Sequence, residues 1–138
     1  MSTISRLQNP EENPRVKSVF DDIRVTRGSD FINNLWHYLA FNPELLEKTW
    51  RDVKEVMAKP SYLDPMTKEL IYAAVSISNS CEYCIHSHTA AARAQGMTDE
   101  QYAEFLSIVS LAGRTNNLLN GIKVPIDKEF DNDEIRND

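Results

Sequence analysis

The stretch "SCEYCIHSH", from Ser80 to His88, holds both cysteines of the chain and two of its three histidines. Cys81 and Cys84 lie three residues apart, and His88 follows Cys84 by four. In the first turn of a helix that spacing lets the two sulfurs come together, and the helix N-terminus, which carries partial positive charge, favours a thiolate. The thiolate is the reactive form of cysteine, so lowering the thiol pKa is the central task of any such site. A histidine one turn further along the same face can take the thiol proton or stabilise the thiolate that results. Glu69 belongs to the preceding segment, on a helical line Glu69, Ala73, Ser76 and Ser80 that ends beside Cys81. A short turn would fold that line over the Cys–His face and let the carboxylate orient His88. The competing reading makes Glu69 an ordinary solvated helix residue, which glutamates commonly are.

Other uses of the pair compete. Zinc would draw on Cys81, Cys84 and either His86 or His88. A structural zinc site takes four ligands, usually from two separated pairs. The chain has no second Cys-x-x-Cys, its remaining histidine is His37, and water or Glu69 would have to complete the set. Covalent haem attachment needs histidine directly after the second cysteine, and Ile85 stands there. Two cysteines used only as small core residues would leave the helix-start position and the histidine one turn on as coincidence. A redox dithiol is the favoured reading, with no metal and no cofactor expected. Spacing alone leaves open which cysteine attacks.

The elements that must position these residues are helices. The chain has 138 residues, the size of one domain, and can bury a core without a disulfide or metal. It has four glycines and no strand-like alternation of β-branched residues. Val16, Val19, Phe20 and Ile23 recur at helical spacing after Pro14, and Gly28 supplies a stop. Asp30 is expected to cap a second helix with an apolar face of Ile32, Leu35, Trp36 and Leu39. A third opens on an Asn42 cap with Pro43 in its first turn, carries the stripe Leu46, Trp50, Val53 and Met57, and ends at Pro60. A fourth has Asp64 as N-cap, Pro65 as first residue and an inward stripe of Leu70, Ala74 and Ile77.

The fifth helix begins at once at Cys81 and closes at Gly96. The sixth starts with the capping-box pair Thr98 and Gln101. Its apolar residues Tyr102, Phe105, Leu106, Ile108, Val109, Leu111 and Ala112 cover more than one face, so part of their burial is expected to come from another subunit. The expectation is a single all-α domain of about six helices over residues 1–138, with a motif core at 63–111. A polar N-terminal arm (1–13) and an acidic C-terminal tail (125–138) flank it. His37 reads as a surface or interface histidine, Trp36 and Trp50 as core residues, and the acids of the tail as solvated.

Charge and hydropathy exclude several partners. A net charge of −6 repels phosphate backbones, and no basic stripe offsets it, so nucleic acid is not expected. The opening "MSTISRLQNPEENPRV" has no apolar h-region and carries acids early, so it reads as neither a secretory signal nor a transit peptide. No apolar run approaches the ~20 residues of a membrane span. The expectation is a cytoplasmic protein without a membrane partner. In a reducing compartment, Cys-x-x-Cys argues against a permanent structural bridge.

The segment "KELIYAAVSISNSCEYCIHSHTAAARAQGMTDEQ" resembles the core motif of the carboxymuconolactone decarboxylase/alkylhydroperoxidase D (AhpD-like) superfamily. The redox-active branch of that family carries Glu, eleven residues, Cys-x-x-Cys, three residues and His. Here Glu69, Cys81, Cys84 and His88 stand at those positions. The resemblance implies an all-helical fold and a thiol-dependent peroxidase activity. It implies that Cys84 attacks a hydroperoxide and becomes a sulfenic acid, which Cys81 resolves to a disulfide. His88 and Glu69 would form the proton relay, through water. The implied partners are a hydroperoxide and a thiol or dithiol reductant such as a lipoylated or thioredoxin-like protein. Family members commonly form trimers or hexamers, which implies a homo-oligomer here. One departure is Tyr83, where characterised members can carry His next to the second cysteine; His86 points away from the Cys84–His88 face. The decarboxylase branch, which typically lacks the cysteine pair, is the rival enzyme, and a non-catalytic redox-sensing oligomeric module is the rival of another class.

Overall fold

Pro14 and Gly28 bracket the first helix for opposite reasons. Proline at the first helical position gives up an N–H that would have had no partner. Gly28 takes the left-handed conformation (φ 61°) that closes the last turn. The computed structural model describes residues 2–130 of the chain. Among them it contains six α-helices and no strand. The helices are α1 (Pro14–Arg27), α2 (Asn34–Leu39), α3 (Pro43–Val53), α4 (Pro65–Ser78), α5 (Glu82–Ala94) and α6 (Asp99–Ile122). This is the all-helical architecture expected from the sequence. The chain divides into two compact units, Met1–Lys68 and Glu69–Asp138, so the border falls inside α4 and immediately before Glu69.

The first unit is built on α1, α2 and α3. Val16, Val19, Phe20 and Ile23 of α1 are buried, as their spacing predicts. They meet Ile32, Trp36 and Ala40 around α2, and Leu46 and Trp50 of α3. Both tryptophans are core residues, packed edge to face at 5.4 Å. The Trp50 indole N–H donates to Asp22 on α1 at 2.6 Å, and Lys54 reaches the same carboxylate at 2.8 Å. These bonds, Lys54 first, hold the Asp22 carboxyl below its ordinary range. The N-terminal arm carries a 3-10 turn at Pro10–Glu12. Glu11 accepts from two nitrogens of Arg24 at 2.7 and 3.0 Å, which ties the turn to α1.

One helix start differs from expectation. The second helix starts at Asn34 with Asn33 as its cap residue, three positions beyond the expected Asp30 cap. Ile32 is buried ahead of the helix instead of on its first turn. Its spacing to Trp36 mimics one more helical turn, while Ser29 Oγ accepts from the Phe31 N–H and holds the chain in a local turn. The third helix runs on through a π-helical segment, Lys54–Ala58, before Lys59 turns extended ahead of Pro60. Val53 and Met57 are half-buried there.

The second unit takes in most of α4, with α5 and α6. Asp64 caps α4 by accepting from the Thr67 N–H at 3.0 Å. The deepest residues of α4 are Ala73 and Ser76, on the Glu69 line; the expected inward stripe of Leu70, Ala74 and Ile77 is half-buried. Gly96 (φ 94°) turns the chain after α5, and Met97 behind it is buried. The Thr98–Gln101 capping box forms with both of its bonds, at 3.2 and 2.9 Å. Of the apolar residues expected to be covered on α6, Phe105 is buried, Tyr102 and Val109 are half-buried, and Leu106, Ile108 and Leu111 are exposed. Residues 125–130 of the acidic tail are exposed, and 131–138 lie outside the described residues. Among the described residues no helix is long and apolar enough to cross a membrane.

Candidate active site

The reversal between α4 and α5 takes three residues, Asn79, Ser80 and Cys81. Ser80 adopts the left-handed conformation (φ 56°). Its N–H bonds to Ile77 O at 3.1 Å, and the Cys81 N–H bonds to Ser76 O at 2.9 Å. That pair of bonds is the Schellman closure of a helix, which satisfies carbonyls left over at the end of α4. Cys81 is at the same time the cap residue of α5, and its carbonyl accepts the first helical bond, from the Ile85 N–H at 2.9 Å. One residue therefore ends one helix and starts the next.

Cys84 is the third residue of α5, inside the first turn, where free N–H groups and the helix dipole favour negative charge on sulfur. The Cα atoms of Cys81 and Cys84 are 5.3 Å apart, and the two sulfurs are joined in a disulfide. Both cysteines are half-buried. The Ser87 hydroxyl donates to the Cys84 carbonyl at 3.2 Å.

His88 sits one turn beyond Cys84, and its Nδ1 lies 2.6 Å from Glu69 Oε2. The side chains are 21% and 18% exposed, so most of this contact is screened from water. A carboxylate only accepts, so Nδ1–H donates to Glu69 and Nε2 is the nitrogen left to accept a proton. The structure thus brings Glu69 and His88 together, on the same short hairpin as the joined cysteines.

Tyr72 completes the surroundings of His88. Its ring stacks on the imidazole with centroids 3.7 Å apart and planes inclined by 23°. Motif spacing does not single out Tyr72. The available signal was its place three residues after Glu69, on the same face of α4. Tyr83 and His86, by contrast, lie on the exposed side of α5.

His37, read from the sequence as a surface or interface histidine, lies against Phe20 of the first unit's core. It is half-buried, with its ring edge-on to Phe20 at 5.2 Å, and its Nδ1 is buried without a hydrogen-bond partner among the described residues. Burial, and then the nearby Arg6, push its pKa below the ordinary histidine value. Among the described residues no group of three or more His, Cys, Asp or Glu side chains is placed to hold a metal ion.

The helical fold and this hairpin can be set beside known proteins. The chain belongs to the carboxymuconolactone decarboxylase family, whose sequence model matches residues 43–127. Its structure is similar to the crystal structure of the alkylhydroperoxidase AhpD core from Rhodospirillum rubrum. The TM-score is 0.90 at 55% sequence identity, covering 94% of this chain and 97% of that one. A curated relative, "Uncharacterized protein 4 in cox locus" of Paracoccus denitrificans, is 34% identical over 58 residues. That match takes in 42% of this chain and spans about half (52%) of the relative's length.

Proposed function

We propose that the protein is a thiol-dependent hydroperoxide reductase of the alkylhydroperoxidase type. The observation that carries the reading is the 2.6 Å Glu69–His88 pair on the same hairpin as a Cys81–Cys84 disulfide at the start of α5, with His88 one turn beyond Cys84. In the reduced protein His88 Nε2, through water, accepts the Cys84 proton while Glu69 holds Nδ1–H. The Cys84 thiolate attacks the outer oxygen of the hydroperoxide. The O–O bond breaks, the alcohol leaves with a proton, and Cys84 becomes a sulfenic acid. Cys81 then attacks that sulfur, water leaves, and the disulfide forms. The two electrons come from the dithiol, and an external thiol or dithiol restores it. A lipoylated or thioredoxin-like protein has suitable chemistry. Similarity to an alkylhydroperoxidase core supports the choice of substrate class.

The deciding experiment follows reduced wild type, Cys84→Ser and Cys81→Ser with cumene, tert-butyl and hydrogen peroxides by intact mass. Wild type should lose two hydrogens, Cys81→Ser should gain one oxygen at Cys84, and Cys84→Ser should not react. The reverse pattern would exchange the two cysteine roles. No intramolecular disulfide after peroxide would sink the reading. A single oxidation without turnover in excess dithiol would make the protein a sensor. Decarboxylation of a lactone acid by the Cys-less double variant would move it to the family's lyase branch.

The same reading includes a homo-oligomer, a trimer or hexamer. The exposed Leu106, Ile108, Leu111, Leu118, Leu119 and Ile122 of α6 support it. Sedimentation equilibrium should give three or six times the chain mass, and a monomer at micromolar concentration would refute it.

A further inference from the structure

A hydrogen bond at one nitrogen does not fix a ring. With Nδ1 tied to Glu69, the imidazole of His88 can still tilt about that bond and carry Nε2 with it. The face of the ring has to be held as well, and one residue is placed to do so. Tyr72 lies flat against it at 3.7 Å, from the helix that also supplies Glu69. Three residues apart on α4, Glu69 and Tyr72 meet His88 at an edge and at a face. Tyr72 itself is two-fifths exposed, so filling the core is not its main contribution.

The Ser76 hydroxyl donates to the Tyr72 carbonyl at 2.8 Å, and Ser76 is the buried polar side chain of this face. Ala73, between them in sequence, is buried and small. The rest of the face therefore packs closely, while the aromatic ring projects to the imidazole.

We propose that Tyr72 is a positioning residue for His88: its ring fixes the plane of the imidazole, and with it the place of Nε2, for work on the cysteine pair one turn back along α5. The inference rests on the dithiol reading above. The ring makes a second contribution. The face of an aromatic ring is the negative end of its quadrupole, so it attracts a cation more than a neutral group. When His88 takes the thiol proton it becomes a cation lying on that face, and the thiolate–imidazolium state gains at the expense of thiol and imidazole. Both contributions belong to the ring; neither requires the phenol hydroxyl.

The test compares Tyr72→Phe, which keeps the ring, with Tyr72→Leu, which keeps apolar bulk and removes it; Tyr72→Met is a second non-aromatic replacement should Leu not fold. The first readout is the proton NMR spectrum of His88, identified by its loss in His88→Gln. It is taken on the oxidised protein with no peroxide present. In wild type and Tyr72→Phe the imidazole protons should stand upfield, in the shielding cone of the stacked ring, and in Tyr72→Leu that displacement should vanish. The second readout is the pH profile of Cys84 alkylation in the reduced protein. Tyr72→Phe should follow wild type, while Tyr72→Leu should react about three- to five-fold more slowly near pH 7, with its profile moved to higher pH.

Unshifted His88 protons in wild type, or the same spectrum and alkylation profile in Tyr72→Leu, would overturn the proposal. Loss of activity in Tyr72→Phe to the level of Tyr72→Leu would also overturn it, because the hydroxyl would then be the working group. If wild type reduces no hydroperoxide, the reductase reading falls, while the His88 spectrum and the alkylation profile still decide the place of Tyr72.

Discussion

Glu69→Gln keeps the outline of the side chain and replaces an acceptor-only carboxylate by an amide. The bond to His88 Nδ1 then loses its charge assistance. Alkylation of Cys84 should slow about tenfold in Glu69→Gln and about a hundredfold in His88→Ala, the lower range for a lost general base. Stopped-flow thiol titration between pH 5 and 9 checks both, and an unchanged profile in the pair would remove them from the relay. His37 makes a prediction of a different kind. Its pKa in the folded state lies below its unfolded value, so between the two the unfolded chain binds more protons. Stability should therefore fall as the pH drops through about 6.5, and His37→Phe should flatten that part of a urea-denaturation series. The Glu69–His88 contact and the Cys81–Cys84 pairing were legible because helical spacing converts directly into shared faces. Tyr72 was not, since an aromatic residue at helical spacing reads first as packing, and only the stacked ring distinguishes it.

At the scale of elements, caps were the most legible features. Asn42, Asp64 and the Thr98–Gln101 box each make the bond their side chains suggest. The start of α2 was not legible, because Ile32 fits a helical period with Trp36 while lying ahead of the helix. Ser80 offers a clean test of the turn. Its left-handed backbone burdens any residue with a Cβ, so Ser80→Gly should stabilise the protein by about 1 kcal/mol in chemical denaturation. A destabilised variant would mean that the serine hydroxyl matters more than the backbone. The link from α1 to α3 is also testable. Asp22→Ala removes the acceptor of Trp50 and Lys54, at a half-exposed site, and should cost about 1 kcal/mol near neutral pH. Because the Asp22 carboxyl is held below its unfolded value, its contribution is full above about pH 4 and is lost as the pH falls through the folded value. The gap between wild type and variant should accordingly close in acid.

Across the whole molecule, helical class was legible from composition and period, whereas the amount of apolar surface left on α6 was not. Periodicity counts apolar residues and cannot say which of them the chain itself covers: Phe105 is buried, while Leu106 and Leu111, of the set expected to be covered in part by another subunit, stand exposed on the single chain. The proposed chemistry, by contrast, falls in one place. Glu69 to His88 spans twenty consecutive residues of a chain of 138, all within the second compact unit. The turn at Ser80 gives this stretch a simple measure. A helix advances about 1.5 Å per residue, so the chain travels roughly 13 Å from Glu69 to Ser78, reverses, and returns roughly 9 Å from Glu82 to His88. The outward and return lengths agree to within a turn, and the reach of a glutamate side chain covers the remainder. Adding one residue to α4 would displace Glu69 by about 1.5 Å and rotate it by about 100°, carrying it off His88 with every residue type unchanged. The eleven residues between Glu69 and Cys81 act as a ruler cut to length.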